Sequence, residues 1–180
     1  MARNSVVAAV VAIVCLAVCA RAEQPKPKQA PDRAKVLAAA RDIMVKARYC
    51  TLVTVDENGQ PQARVVDAFA PENDMTVWIG TNPLTRKVAE IRKDPRITML
   101  YFDTTRMSFV TVLAKAALVD DAREKARHWK DAWAGLYKDK NRGDDYVLIR
   151  ATAFRLEVVS PALGMMNDEK TWRPVSIDLR

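Results

Sequence analysis

Hydrophobic and polar residues change their spacing along the chain, and these changes mark the predicted elements. Apolar residues recur at helical spacing after Arg33 and predict a helix that is capped near Asp32. From residue 49 onward, short runs rich in β-branched residues or alternating between apolar and polar residues are typical of strands. The predicted strands span residues 49–55, 62–69, 75–80, 97–102, 107–119 and 146–159, with a last strand within 172–179.

Turn signals and two further apolar stripes complete the pattern. Asn58-Gly59 between the first two strands predicts a tight hairpin. A second helix is predicted to begin at Asn82-Pro83 and to end before Pro95, with a stripe that the chain would bury. That stripe comprises Leu84, Val88 and Ile91. A third, amphipathic helix is predicted over 120–137, with one face formed by Ala122, Ala126, Trp129, Trp133 and Leu136.

Strands joined mainly by hairpins, with helices inserted between them, predict a mainly β fold of the α+β class. Several short antiparallel strands favour a small barrel over a doubly wound parallel sheet. The chain has only five glycines and no phosphate-loop or dinucleotide-binding glycine pattern. The expected architecture is therefore a six- or seven-stranded antiparallel barrel with peripheral helices.

The first residues have the pattern of a signal peptide. Arg3 precedes an apolar run over 6–18, and Ala20-Arg21-Ala22 supplies a cleavage site of the Ala-x-Ala type. The run is shorter than the roughly 18 residues of a spanning helix, although a retained anchor stays as an alternative. We expect a Sec-type signal peptide over 1–22, a Pro- and Lys-rich flexible linker over 23–32 and one domain over 33–180, periplasmic or secreted, without a stable membrane span after cleavage.

Composition and charge exclude several classes of function. Removal of residues 1–22 lowers the formal net charge from +7 to +5, and basic residues alternate with acidic ones, so a nucleic-acid partner is not expected. One His and three Cys, two of them within 1–22, argue against a metal site and a disulfide framework. Cys50 is predicted to be a small buried strand residue, with a redox or intermolecular thiol as the alternative. His128 is predicted to be solvated.

Residues 80–87 are the strongest candidate for chemistry. A predicted strand ends at Gly80, where the missing side chain lets another group approach the backbone. Thr81 or Asn82 would cap the following helix, whose amide groups and dipole favour a bound anion. Arg86 and Lys87 follow within about one turn, and Thr81 and Thr85 add hydroxyl donors. The alternative is an ordinary capped helix with solvated basic residues.

Arg64 is the second candidate, because it interrupts an otherwise apolar strand that includes Val65 and Val66. A cation in such a strand needs a partner or a solvated face. A bound phosphate or flavin ring is one such partner. The alternatives are a solvated face or an acid from a neighbouring strand.

These segments together resemble a known family. Residues 59–64 (Gly-x-Pro-x-x-Arg), 78–87 (Trp-Ile-Gly-Thr-Asn through Arg-Lys) and 94–97 (Asp-Pro-Arg-Ile) are similar to the pyridoxamine 5′-phosphate oxidase-like FMN-binding split-barrel family, in its general-stress-protein branch. Residues 112–116 and 143–146 also resemble family segments, and the likeness runs from about 36 to 159. The resemblance implies a split barrel and a homodimer with FMN at the interface.

The resemblance also implies which residues bind the cofactor. The FMN phosphate would lie against Arg64, Arg86 and Lys87, near the hydroxyl and amide groups of Thr81, Asn82 and Thr85. The backbone around Val65, Val66, Gly80 and Thr81 would lie against the ribityl chain and the flavin ring.

Departures from the family limit the predicted function. Ala114 and Phe109 replace the residues usual at those positions, and no Arg-x-His follows in the C-terminal tail, where only Trp172-Arg173 stands. We therefore expect an exported FMN-dependent oxidoreductase of unknown substrate, not a true pyridoxamine phosphate oxidase. The alternative is a non-catalytic, stress-related protein that binds flavin, heme or another anionic small molecule, or no cofactor at all. No side chain is an obvious acid–base catalyst.

Overall fold

The computed structural model describes residues 31–137 and 143–179, and these form a seven-stranded antiparallel sheet with three α-helices. The helices are α1 (Arg33–Ala47), α2 (Arg86–Lys93) and α3 (Ala122–Arg127). The strands are β1 (Tyr49–Val55), β2 (Pro61–Asp67), β3 (Val77–Thr81), β4 (Arg96–Asp103), β5 (Ser108–Val119), β6 (Val147–Val159) and β7 (Val175–Asp178). The prediction of a mainly β, α+β fold is confirmed.

The sheet has the order β2-β1-β4-β5-β6-β3, and β7 also pairs with β6. The first half of β6 pairs with β3 and its second half with β7, so one long strand joins two parts of the sheet. Strands β2 and β3 end the order and are not paired with each other. The sheet is therefore open, as the predicted split barrel requires.

Alternation along the strands places one face of the sheet in the core. Leu52, Met99 and Val112 lie on neighbouring strands and are fully buried. Helix α1 covers this face with its own apolar stripe, which includes Ala40 and Ile43. The core thus forms between α1 and the inner face of the sheet, as the two periodicities of the sequence indicate.

The predicted cap of α1 is confirmed. The Oδ1 of Asp32 accepts hydrogen bonds from the amide groups of Ala34 at 3.0 Å and Lys35 at 3.2 Å. Such a cap satisfies amide groups that have no partner within the helix.

Cys50 is buried on the inner face of β1, which confirms the first of its two interpretations. Burial raises the pKa of its thiol to about 11. Because a thiolate is the reactive form, the alternative of a redox or bridging thiol is disfavoured.

The third predicted helix is too long. Helix α3 ends at Arg127, and a 3-10 turn follows at Asp131–Trp133. Continuing the helix would have put Leu136 on the packed face, but its side chain is 73% exposed. The chain leaves the helix because the rings of Trp129 and Trp133 turn to pack against Tyr146 instead.

The predicted signal peptide, 1–22, and nearly all of the predicted linker, 23–32, lie outside the described residues. Among the helices that the structure describes, none combines the length and hydrophobicity of a membrane-spanning segment.

Candidate anion-binding site

Helix α2 begins later than the sequence predicts. Its first residue is Arg86 instead of Asn82 or Pro83, because Asn82 forms a turn: its Oδ1 accepts from the Leu84 amide at 2.8 Å. Thr85 is the N-cap residue, but its hydroxyl donates to the Asn82 carbonyl at 2.9 Å instead of capping the helix. Leu84 is exposed and does not belong to the buried stripe. No side chain caps α2, and an uncapped N-terminus retains its affinity for anions.

Arg64 lies on β2 opposite Leu52, and its side chain is on the inner face, only 19% exposed. Its Nη2 donates to Glu90 Oε2 at 2.8 Å, and its Nη1 donates to the hydroxyl of Thr54. Arg64 therefore has an acidic partner, and the solvated face is wrong, while contact with a phosphate stays a prediction. The acid comes from α2, however, and not from a neighbouring strand.

Glu90 is the residue that sequence reasoning missed. Its side chain is 4% exposed, and its Oε2 accepts from Arg64 and from the Thr54 hydroxyl. Its Oε1 lies 2.9 Å from Arg86 Nε, within ion-pair distance but without the alignment of a hydrogen bond. The spacing of Arg86 and Glu90, one helical turn apart, was the available signal.

Lys87 joins the same group of side chains. Its Nζ donates to Thr81 Oγ1 at 2.8 Å, and the Thr81 and Thr85 hydroxyl oxygens are 3.3 Å apart. Burial, and next the charge of Arg64, lower the pKa of Lys87 below its usual 10.5, while Glu90 opposes this shift. We call Arg64, Arg86, Lys87 and Glu90 the cation cluster.

The cation cluster has three positive charges and one negative charge. Its formal excess is two positive charges beside the uncapped N-terminus of α2, where Arg64 is largely buried and Arg86 is mostly exposed. Like charges in this position repel each other and favour an anion between them. The structure thus brings together the three cations that the sequence proposed, with Thr81 and Thr85 next to them.

A cleft of about 290 Å³ lies beside the cation cluster, between the β1–β2 turn and α2. Its lining residues are Asp56, Glu57, Asn58, Arg86, Ala89, Glu90 and Lys93. Arg86 and Glu90 therefore belong both to the cluster and to the wall of this cleft.

The other proposed site residues have separate positions. A Cβ at Gly80 would lie 2.6 Å from ring atoms of both Trp133 and Tyr146, so on that face the close approach comes from this chain's own rings. Val66 is buried in the core, whereas Val65 points outward and is 69% exposed. The predicted contact of the backbone at these residues with a cofactor stays a prediction.

His128 is buried, which contradicts the expectation that it is solvated. Its ring stacks on Trp78 with the ring centroids 4.3 Å apart, and its Nδ1 lies 3.0 Å from the Glu124 carbonyl oxygen. The residue packs with the aromatic rings around β3 and does not join the cation cluster.

The model of the family described as pyridoxamine 5′-phosphate oxidase matches residues 36–160, which is more than half of the chain. The chain belongs to the pyridoxamine 5′-phosphate oxidase family. The matched range includes all four residues of the cation cluster. No curated protein is significantly similar in sequence.

Solved structures share this family fold at low identity. A protein related to general stress protein 26 from Clostridium acetobutylicum is 17% identical with a TM-score of 0.66, covering 80% of this chain and 94% of that chain. General stress protein 26 from Bacillus anthracis is 18% identical with a TM-score of 0.61, covering 69% and 93%. A pyridoxamine 5′-phosphate oxidase-related, FMN-binding protein from Nostoc punctiforme is 16% identical with a TM-score of 0.59, covering 85% and 98%. The fold is thus that of the FMN-binding split barrel.

The donors of the cation cluster fit the phosphate group of FMN. Guanidinium and ammonium groups form strong charge-assisted hydrogen bonds with phosphate oxygens. A phosphate monoester carries about −1.5 to −2 charges at pH 7, which matches the two excess positive charges of the cluster.

Proposed function

We propose that the protein binds FMN and acts as a flavin-dependent oxidoreductase. The observation that supports this most directly is that Arg64 and Arg86 both pair with Glu90 and that Lys87 lies close enough to feel the charge of Arg64, in a member of the pyridoxamine 5′-phosphate oxidase family. Arg64 would hold the phosphate from the sheet, and Lys87 and Arg86 would hold it from α2. The amide groups at the start of α2 would add donors.

Bound FMN supplies hydride and electron transfer, and the protein supplies binding and orientation. Thr54 and Glu90 hold the Arg64 side chain, so that its guanidinium would meet the phosphate in a preset position. Thr81 likewise holds the ammonium group of Lys87. These contacts reduce the entropy that the two side chains would lose when a ligand binds.

We also propose that two copies of the chain associate through the outer face of the sheet. Val65, Leu100 and Phe102 are exposed there on β2 and β4, and Thr51 of β1 lies in register with both Val65 and Leu100. An exposed apolar patch of neighbouring residues is typical of an interface. Arg64 lies on the inner face of the same strand, and β2 is the end strand of the sheet order, so a cofactor held by Arg64 would reach this interface around the edge of β2.

The Leu100→Glu variant tests the dimer. We expect it to shift the protein to a monomer in sedimentation and to weaken FMN binding. The matched control is Val45→Glu, which places the same charge on an exposed residue of α1. If both variants stay dimeric, the outer face is not the interface.

Export is a further part of the proposal. If residues 1–22 are a signal peptide, the mature protein begins at Glu23 and occurs outside the cytoplasm. Mass spectrometry of the protein from cell fractions tests this: full-length protein in the cytoplasm would contradict it.

Reduction of the FMN-loaded protein tests the enzymatic activity. We expect NADH or NADPH to bleach the yellow flavin, and an added electron acceptor to restore its colour, with the flavin remaining on the protein during gel filtration. Binding without reduction would favour the non-catalytic alternative. Failure to bind FMN would refute the oxidoreductase and would leave only the alternative of heme, another anionic ligand or no cofactor.

A further inference from the structure

Glu90 has a position that phosphate binding alone does not require. Its carboxylate is almost completely buried, yet it contacts two arginines and is close enough to Lys87 to affect the pKa of that residue. The two contacts differ. The contact with Arg64 is an aligned hydrogen bond at 2.8 Å, whereas Arg86 lies at 2.9 Å without such alignment and is mostly exposed.

The two arginines of the cation cluster therefore differ in their freedom to move. Arg64 is held by Thr54 and Glu90 and has little freedom to move. Arg86 can turn from Glu90 towards another anion, because its own side chain is 65% exposed and no aligned hydrogen bond holds it to the carboxylate. A phosphate that approaches Arg86 and Lys87 therefore meets a fixed negative charge next to it.

We infer that Glu90 is a counter-ion that competes with the phosphate group of the ligand for Arg64 and Arg86, so that a phosphate monoester such as FMN binds as an exchangeable ligand. Glu90 keeps the three cations together when the ligand leaves. The same charge lowers the affinity for the ligand. This inference rests on the proposed phosphate site, and it adds that FMN dissociates and exchanges during the working life of the protein.

The Glu90→Gln variant separates this role from a structural one. Glutamine retains an oxygen that can accept from Thr54 and Arg64, but it removes the negative charge. We expect inorganic phosphate and FMN each to bind the variant at least about tenfold more tightly at pH 7, because a like charge in a half-buried site has been removed. We also expect FMN to dissociate more slowly and its exchange with free FMN to slow in proportion.

The matched control is Glu57→Gln. Glu57 is 69% exposed and pairs with Lys93 at 2.9 Å, so this variant removes the same charge from a solvated position near the cluster. We expect less than about a twofold change in affinity, because water and salt screen an exposed charge. Equal tightening in the two variants would overturn the inference, since the effect would then belong to net charge alone.

Thermal unfolding supplies a second readout. Without phosphate, the Glu90→Gln variant is expected to unfold at a lower temperature than the wild type, because the clustered cations lose their counter-ion. Added phosphate should raise that temperature more in the variant than in the wild type. If the variant folds only with phosphate present, the inference is supported. A variant that does not fold with or without phosphate, or that folds but binds phosphate no more tightly, overturns it.

Titrations with inorganic phosphate and with FMN distinguish this inference from the proposed function. Tighter phosphate binding without FMN binding would support the role of Glu90 and refute FMN as the cofactor. Unchanged phosphate affinity with normal FMN binding would refute the role of Glu90 and leave the proposed function intact.

Discussion

Two regions at the C-terminal end of β3 differ in how their side chains are satisfied. Around Trp78 and Gly80, rings of the same chain fill the available space: Trp133 and Tyr146 pack at Gly80, and His128 stacks on Trp78. Immediately after this, Lys87 donates to Thr81 and belongs to the cation cluster, which has two positive charges in excess. The first region is complete within the chain, whereas the second has a charge imbalance that an added anion would correct.

This difference shows that a glycine at the end of a strand and basic residues at the start of the next helix can have separate roles. The sequence pattern joined Gly80, Thr81, Arg86 and Lys87 into one candidate site. In the structure, the Cβ side of Gly80 faces aromatic rings, whereas Arg86 pairs with Glu90 and Lys87 donates to Thr81. Variants in the two regions should therefore have different effects, on stability in the first and on binding in the second.

The largest effect is expected for Trp133→Ala. The variant empties the centre of the aromatic region and should lower the free energy of unfolding by about 3–5 kcal/mol, as for other buried aromatic truncations. Chemical denaturation measures this change. The control is Leu136→Ala on the same segment, where an exposed side chain predicts a change of under about 0.5 kcal/mol. Similar losses in the two variants would contradict the packing described here.

Gly80→Ala is expected to have the next largest effect. Its Cβ would lie 2.6 Å from ring atoms of Trp133 and Tyr146, so the rings must move, at a cost of about 1–3 kcal/mol in stability. Trp133→Leu makes space for the added Cβ. The double variant should therefore lose less free energy of unfolding than the sum of the losses in the two single variants. Additive losses would mean that the Gly80 contact is not the cause.

Lys87→Ala tests the second region. The variant removes one charge-assisted hydrogen bond and should weaken FMN binding by about 1.5–3 kcal/mol, with little loss of stability. Fluorescence titration with FMN measures the change, and circular dichroism checks that the variant is folded. Arg64→Ala should weaken binding by a similar amount, but it also leaves Glu90 buried without its main partner and destabilises the fold. Unchanged FMN affinity in folded Lys87→Ala would remove this residue from the site.

The pH dependence provides the smallest and most specific prediction. Burial and Arg64 lower the pKa of Lys87 below 10.5 in the folded protein. As the pH rises from that lowered pKa towards 10.5, folded Lys87 loses its proton while the unfolded chain keeps it, so stability rises in this window. FMN affinity should fall in the same window, because the ammonium group loses its charge.

The Lys87→Met variant checks both signs. Compared with this variant, the wild type should gain stability and lose FMN affinity over the same pH range. If both quantities change in the same direction, or if neither depends on residue 87, the position assigned to Lys87 is wrong.

The sequence predicts the sheet well because strand alternation is a local signal. The predicted and observed bounds of β1 are the same, and Asn58-Gly59 lies in the β1–β2 hairpin turn. The long β5 and β6 were also predicted nearly to their ends. These strands are predictable because side chains alternate between the two faces of a strand and one face of the sheet is buried.

The departures come from contacts between residues distant in sequence. Helix α3 is short because rings from 129 and 133 pack against Tyr146. Glu90 was missed because its partner Arg64 lies 26 residues away on β2, and no local pattern joins a helix to a strand. The cations of the site were predictable from residue type and resemblance, and the spacing of Arg86 and Glu90 could have indicated their pair, whereas the contact of Glu90 with Arg64 required the fold.

The most direct measurement of the central claim is a pair of titrations, one with FMN and one with riboflavin, under identical buffer and salt conditions. The two ligands share the flavin ring and differ in the phosphate, so their affinity ratio reports on the cation cluster alone. We predict that FMN binds roughly 100-fold more tightly than riboflavin, as expected for two charge-assisted contacts, and that Lys87→Ala reduces this ratio. Equal affinity for the two flavins in the wild-type protein would contradict the account.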